Sequence, residues 1–351
     1  MKKIDLVIPT YNRPELLKRI LDYYQPYKNL FRIIVADSSR PENKAENRKI
    51  IKNLANMKIV HLDHFSSQLE QHHKFAEMTK FVKSKYCVFC ADDDFIVPRG
   101  VLECVKFLDQ NPDYVVAHGT YISFFLQKTP FGGKKFLWRY LYPHISIDDS
   151  TAAKRAASHL TNYTLSMWGV QRSEIVKLCQ REAMKVKIAT PLLPMLGELL
   201  PDTLTAVHGK IKRLKTFYSA RQCFSQVLGF YPSLFDAKKM GIYDKEISKF
   251  KDSLIKNMHL KTIRERMKAD KLLDQAIEEY QKDSYQQHIM GKVNKLLAKS
   301  PKFLSQSLSA ILTAYLFSKP KNDWVGLVDK HDSKYYKDFE EIRQCVLNHP
   351  Q

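Results

Sequence analysis

Residues 86–98, Tyr-Cys-Val-Phe-Cys-Ala-Asp-Asp-Asp-Phe-Ile-Val-Pro, form an apolar run that ends in three consecutive carboxylates. Val88, Phe89 and Ala91 draw the segment into a core. Asp92, Asp93 and Asp94 must then emerge at the strand's end, because three unpaired charges are not kept buried. Crowded carboxylates repel one another unless a cation neutralises them, and hard divalent ions such as Mg2+ and Mn2+ take oxygen ligands of this kind. The pattern predicts a metal site at the carboxyl edge of a sheet, where open α/β folds bind their ligands. Cys87 and Cys90 make a Cys-x-x-Cys spacing, but positions three apart on a strand point to opposite faces. They read as core thiols.

The elements that must position the triplet alternate in type. Ile4 to Ile8 is an apolar strand, and Pro9-Thr10-Tyr11-Asn12-Arg13-Pro14 is a turn. A helix from about Glu15 places Leu16, Leu17, Ile20 and Leu21 on one face. Arg32 to Ala36 is a second strand that ends at Asp37-Ser38-Ser39, and Lys58 to Leu62 a third. Helices are expected around Ala45 to Leu54, Gln68 to Val82 and Gly100 to Leu108, with a further strand at Tyr114 to Ala117. Repeated units of this length imply an α/β fold with a mostly parallel, doubly wound sheet.

The chain has 351 residues, 44% of them apolar, which suits an enzyme with a real core. Its 57 Lys+Arg against 37 Asp+Glu give +20, a balance that favours an anionic partner such as a phosphorylated substrate, nucleic acid or an acidic membrane surface. No apolar run approaches a membrane span. The first residues read as a strand rather than a signal peptide, and the six scattered cysteines suit a reducing, cytoplasmic setting.

The chemistry is expected at the strand tips: Pro9 to Arg13, Asp37 to Ser39, and Asp92 to Asp94. Neither Gly-x-Gly-x-x-Gly nor Gly-x-x-x-x-Gly-Lys-[Ser/Thr] occurs, which removes the main sequence support for a dinucleotide or P-loop site. An early acid plus a later acidic cluster would instead hold a nucleoside, and its diphosphate through a metal. In their order and spacing, Val-Ile-Pro-Thr-Tyr-Asn-Arg, Asp-Ser-Ser and Cys-Ala-Asp-Asp-Asp-Phe-Ile-Val-Pro resemble the GT-A nucleotide-sugar glycosyltransferases of the family 2 type. The resemblance covers roughly the first two-thirds of the chain. It implies a GT-A, Rossmann-like catalytic domain over 1–230 with a helical, basic C-terminal extension over 231–351. It also implies Pro9, Thr10, Tyr11 and Arg13 around the nucleotide and Asp37 on the base. Asp92 would face the ribose, and Asp93 or Asp94 would bind Mn2+ or Mg2+ at the diphosphate. Three acids stand where the family needs two, so their division stays open.

Inverting sugar transfer needs a carboxylate to accept the acceptor hydroxyl's proton. The resemblance places it at Glu198, with Asp202 as substitute, in Met195-Leu196-Gly197-Glu198-Leu199-Leu200-Pro201-Asp202; Pro201 departs from the family's pattern. Arg221, beside Tyr218, stands where an arginine would face the leaving diphosphate. Tyr163 to Val170 reads as a strand, with Trp168 either stacked on an acceptor sugar or in the core. His72 and His73 read as surface or hydrogen-bonded residues.

Two regions lie outside the shared core. Phe124 to His144, with Phe131, Phe136, Trp138, Tyr140, Tyr142, Lys134, Lys135 and Arg139, suits an acceptor lid, a membrane-facing loop or a nucleic-acid platform. Beyond about residue 235 helices dominate. Ile247, Phe250, Leu254, Ile255 and Met258 share one face, and Leu304, Leu308, Ile311, Leu312 and Tyr315 another, with Lys292, Lys295, Lys299 and Lys302 upstream. These faces would pack on the catalytic domain or a second subunit, or rest on anionic lipid at the inner face of the membrane.

The expected function is a metal-dependent glycosyltransferase, moving a sugar from a nucleoside-diphosphate donor to a glycan, lipid-linked or polysaccharide acceptor. A nucleotidyltransferase is the alternative, although Pro9 to Pro14 lacks its Gly-rich basic loop. A nucleic-acid binder ranks last, because the charge is dispersed and no RNA-binding motif occurs.

Overall fold

The computed structural model describes residues 4–128, 133–141, 145–163, 166–223, 234–298 and 327–349, with backbone alone for Gln127, Lys128, Pro191, Phe235 and 283–298. Strands β1 (Ile4–Thr10), β2 (Phe31–Asp37), β3 (Ile59–Leu62) and β4 (Tyr86–Phe89) run parallel, with β1 between β2 and β4. Their registers set Leu6 beside both Ile33 and Val88. Apolar residues fill both faces of β1 and β2 because helices cover both sides of a parallel sheet. Helices α1 (Pro14–Tyr24), α2 (Pro41–Asn53) and α3 (Gln71–Thr79) make the connections. Asp5 anchors this half from below: fully buried, it takes a forked pair of bonds from Arg32 at 2.8 and 2.7 Å and the backbone N–H of Ser84 at 3.0 Å.

The second half of the sheet is mixed. After β5 (Phe95–Ile96) and α4 (Pro98–Gln110), the long strand β6 (Tyr114–Lys128) turns back into β7 (Lys134–Tyr140). Beyond α5 (Ala152–Thr161), the short β8 (Val170–Arg172) joins β4 to β6 with antiparallel pairing. Helices α6 (Ser173–Met184) and α7 (Leu193–His208) lead to β9 (Lys210–Gln222), which lies parallel to β6. The nine strands follow the order β3-β2-β1-β4-β8-β6-β9-β5, with β7 on β6.

Two local expectations change. Tyr163 to Val170 is not a strand: Ser166–Trp168 forms a helical turn, closed by the Gly169 N–H on the Ser166 carbonyl at 2.9 Å, and β8 follows. Gly169 permits this because a Cβ there would come within 2.6 Å of Val116 Cγ1. Thr164 and Leu165 lie outside the described residues. The strand expected over Tyr114–Ala117 runs on to Lys128 because its hairpin with β7 gives the aromatic residues a partner. Phe124 stacks on Phe136 at 5.0 Å, and Trp138 meets Phe339 at 5.1 Å. These rings are packed, which leaves no open lid at Phe136 or Trp138; Phe131, Tyr142 and His144 are outside the described residues.

The described residues of the C-terminal region contribute to two cores. Helices α8 (Leu234–Lys239), α9 (Tyr243–Asn257) and α10 (Ile263–Ala298) place Ile247, Phe250, Leu254, Ile255 and Met258 against Leu196, Leu199, Leu200 and Leu204 of α7. The apolar face of α9 is therefore core. Helix α11 (Tyr336–Asn348) returns to the N-terminal layer, where Tyr27 donates to Glu341 at 2.6 Å and Arg99 pairs with Asp338 at 2.9 Å. The expected boundary at 230/231 lies outside the described residues. Leu304, Leu308, Ile311, Leu312, Tyr315, Lys299 and Lys302 lie outside the described residues, as do the side chains of Lys292 and Lys295. Among the described residues no helix is long and apolar enough to cross a membrane.

Helix α4 lies so close to β9 that a Cβ on Gly100 would stand 2.4 Å from the Phe217 carbonyl oxygen. Gly100→Ala should lower stability by about 1–3 kcal/mol through overpacking, read as a lower urea midpoint. An unchanged midpoint would mean that the two elements separate freely.

Candidate active site

The tips of β1, β2 and β4 converge as the sequence predicts. Thr10 donates to Asp92 Oδ2 at 2.6 Å across the β1–β4 gap. The guanidinium of Arg13, at the mouth of α1, pairs with Asp92 and lies 2.9 Å from Asp93 Oδ2. Asn12 takes a positive φ of 54°, a conformation its short polar side chain tolerates, and turns the chain so that its N–H reaches Ser39 Oγ at 2.8 Å. Pro9 is partly buried in this turn and Tyr11 is exposed. Behind the triplet, the fully buried Arg19 donates to the Asp93 carbonyl at 3.0 Å and stacks over Phe95.

Asp37 is fully enclosed. Its carboxylate accepts from the Ser39 N–H at 2.8 Å and Asn47 Nδ2 at 2.9 Å, and lies 3.1 Å from His61 Nε2. Burial alone would raise its pKa, but these partners hold it well below the usual carboxylate range. It is thus a fixed negative charge at the tip of β2, with the partly exposed His61 beside it.

The opposite wall comes from β9 and α7. Asp94 accepts from Arg221 Nε at 3.0 Å and from the Gln222 N–H at 2.9 Å. The Arg221 guanidinium lies over the Trp168 ring, 5.3 Å from its centroid, and Tyr218 fixes that turn by donating to the Trp168 carbonyl at 2.8 Å. Trp168 thus faces an arginine on one side, while Phe75 meets it edge-on at 6.3 Å. Glu198 sits on the second turn of α7, with Tyr163 Oη 3.4 Å away. Burial and the neighbouring Asp202 raise its pKa, opposed by Arg221. Burial likewise pushes Asp92 up to about 7 despite Arg13, and Asp94 to about 6 despite Arg221. Gly197 lets α7 approach α3, since a Cβ there would stand 3.0 Å from His72 Cβ. His72 is therefore a packed residue, its pKa lowered to about 4 by burial and by His73.

Asp202 has a different setting from Glu198. It is 2% exposed, accepts from Ser166 Oγ, and lies 3.3 Å from His159 Nε2. His159 in turn sits 3.3 Å from Thr203 Oγ1. This enclosed network ties α5, α7 and the Ser166–Trp168 turn together. Asp202→Asn should cost about 1–3 kcal/mol of stability by weakening those bonds. Sugar transfer should stay within about tenfold of wild type. A complete loss of transfer in a folded Asp202→Asn protein would make Asp202 the base.

Sequence reasoning missed Lys74. It is 6% exposed, and its ammonium donates to the Thr10 carbonyl and to Ser38 Oγ, both at 2.8 Å. Burial lowers its pKa to about 8, against the pull of Asp92 and Asp37. The only available signal was a lysine on the same helical face as Met78 in an otherwise polar helix start. His61, Ser166 and His159 gave no local signal, because their partners are remote in sequence.

Among the described residues no group of three or more His, Cys, Asp or Glu side chains forms a metal cage. Asp93 and Asp94 still fit a Mg2+- or Mn2+-type seat, which commonly uses one or two carboxylates and leaves the rest to substrate phosphates and water. The sheet order, the acidic tip of β4 and the cationic wall facing it define a GT-A fold glycosyltransferase. Residues 5–167 match the family described as Glycosyl transferase family 2. The structure is similar to that of S. aureus TarS 1-349 in complex with UDP-GlcNAc, with 14% identity and a TM-score of 0.53, covering 86% of this chain and 82% of that one. The mannosyltransferase PcManGT from Pyrobaculum calidifontis, in complex with GDP-Man and Mn2+, aligns at 11% identity and a TM-score of 0.43, over 99% and 88% of the two chains. No curated protein matches.

Proposed function

We propose that the chain transfers a sugar, with inversion, from a nucleoside-diphosphate sugar to a hydroxyl of a glycan, lipid-linked or polysaccharide acceptor. The observation that carries this is the convergence of Thr10, Arg13 and the Asp92–Asp94 triplet opposite Arg221 and Glu198. The UDP-GlcNAc held by the structurally similar TarS supports the donor class. The surface at the tips of β1 and β2, near Asp37, His61 and Lys74, receives the base; Pro9, Thr10 and Tyr11 border the nucleoside, and Asp92 faces the ribose. Asp93 and Asp94 would hold a divalent cation, which supplies charge neutralisation at the diphosphate. Arg13 and Arg221 flank that diphosphate, and Arg221 stabilises the negative leaving group. Glu198 accepts the acceptor hydroxyl's proton; its raised pKa makes it a stronger base than an exposed glutamate. Trp168 offers a wall to the acceptor. The +20 charge would favour a site near anionic membrane surfaces on the cytoplasmic side, where lipid-linked acceptors reside.

The test is a melting scan with UDP, GDP, CDP and CMP, each with and without Mn2+. One nucleoside diphosphate at about 100 times its Kd should add about 2.7 kcal/mol of stability, lost in Asp93→Ala. A flat response to all of them contradicts the proposal.

A further inference from the structure

Three adjacent carboxylates share two guanidinium groups at the tip of β4. Arg13 takes Asp92 and Asp93, and Arg221 takes Asp94. Asp94 is 5% exposed, and both of its oxygens are engaged from a single strand end: Oδ2 by the Arg221 side chain at 3.0 Å and Oδ1 by the Gln222 backbone at 2.9 Å. A divalent cation at Asp94 would lie against the positive charge of Arg221. Like charges at such range repel strongly in a site shielded from water. The cation and the guanidinium are therefore rivals for one carboxylate.

While it holds Asp94, the same guanidinium lies over the Trp168 ring, 5.3 Å from its centroid. A diphosphate entering between Arg13 and Arg221 offers the forked anionic partner that Arg221 would give up at Asp94. We propose that Arg221 is an internal counter-ion that closes the cation seat at Asp94 until a nucleoside diphosphate draws the guanidinium away. Cation and donor then bind as a coupled pair, and the free protein holds neither Mn2+ nor Mg2+ tightly. This rests on the donor reading above, in which the ligand bridging the two arginines is a diphosphate.

The test uses the full chain and Mn2+ alone, following the resonance of free hydrated Mn2+ during titration. Arg221→Met should bind Mn2+ at least about tenfold more tightly than wild type, because the competing charge is gone. The gain should vanish in Arg221→Met/Asp94→Asn. Equal affinity in wild type and Arg221→Met overturns the proposal, and so does a gain that survives Asp94→Asn. If Arg221→Met does not fold, Arg221→Gln decides instead. It removes the charge but keeps a polar side chain of similar reach, so a gain of about tenfold supports the rivalry and no gain overturns it. A separate titration of wild type with UDP and GDP, in Mn2+, reads the donor assignment. If neither nucleotide binds there, the donor reading fails, while the Mn2+-only comparison still decides the role of Arg221.

Discussion

Glu198→Gln should lower kcat by about 10²–10⁴-fold while leaving the donor's Kd unchanged, because general-base catalysis contributes on that scale. Glutamine keeps the shape and the Tyr163 contact but cannot take a proton. The geometry separates the two properties. Glu198 stands on α7, whereas the Thr10–Asp92 and Arg13–Asp93 pairs, proposed to border the nucleotide, lie at the end of β1, just before α1 and just beyond β4. The pH profile gives an independent reading. A base works when deprotonated, and burial with Asp202 raises the pKa of Glu198. The rate should therefore fall as pH is lowered through that raised value, giving an acid limb above the ordinary glutamate range. Glu198→Gln should abolish the limb along with the rate. Full activity in Glu198→Gln would remove it from the mechanism.

Arg13→Met should have the second largest effect, on stability as well as on binding. It leaves the fully buried Asp92 without its guanidinium, and breaking a buried pair from one side costs about 3–5 kcal/mol. Against a typical total of about 5–15 kcal/mol, that is a large fraction. The loss should depend on pH. Asp92 already has a folded-state pKa raised from 3.8 to about 7, so its contribution is complete below pH 3.8 and is lost as pH rises through 7. Removing Arg13 raises the folded-state value further. The gap between wild type and variant should then widen from pH 6 to pH 8, as read from urea denaturation at each pH. A gap independent of pH would mean that Arg13 does not govern the Asp92 charge.

The parts of this protein visible in its sequence are those written in local pattern. The apolar runs of β1, β2 and β4 announce buried parallel strands, and the sudden change at Asp92 marks the acidic cluster just beyond the end of β4. Glu198 was approachable because Gly209 ends α7 and Lys210 opens β9, so a helix and its following strand can be read around it. What the sequence hid depends on distant partners. Asp94 is 127 positions from Arg221, and Thr10 is 82 from Asp92; neither residue advertises the other. Lys74 went unread because its oxygen partners belong to the backbone of Thr10 and the side chain of Ser38, which are distant in sequence. The helical C-terminal region was recognisable as helix, but its division between two cores was not, since amphipathic faces do not name what they pack against.

The most direct test of the central claim is a crystal structure of the full chain with the nucleoside diphosphate that stabilises it most, grown with Mn2+. The diphosphate should lie between Arg13 and Arg221, with the cation on Asp93 or Asp94 and the base at the tips of β1 and β2. A nucleotide bound elsewhere, with the Arg13 and Arg221 pairs intact, would contradict the account.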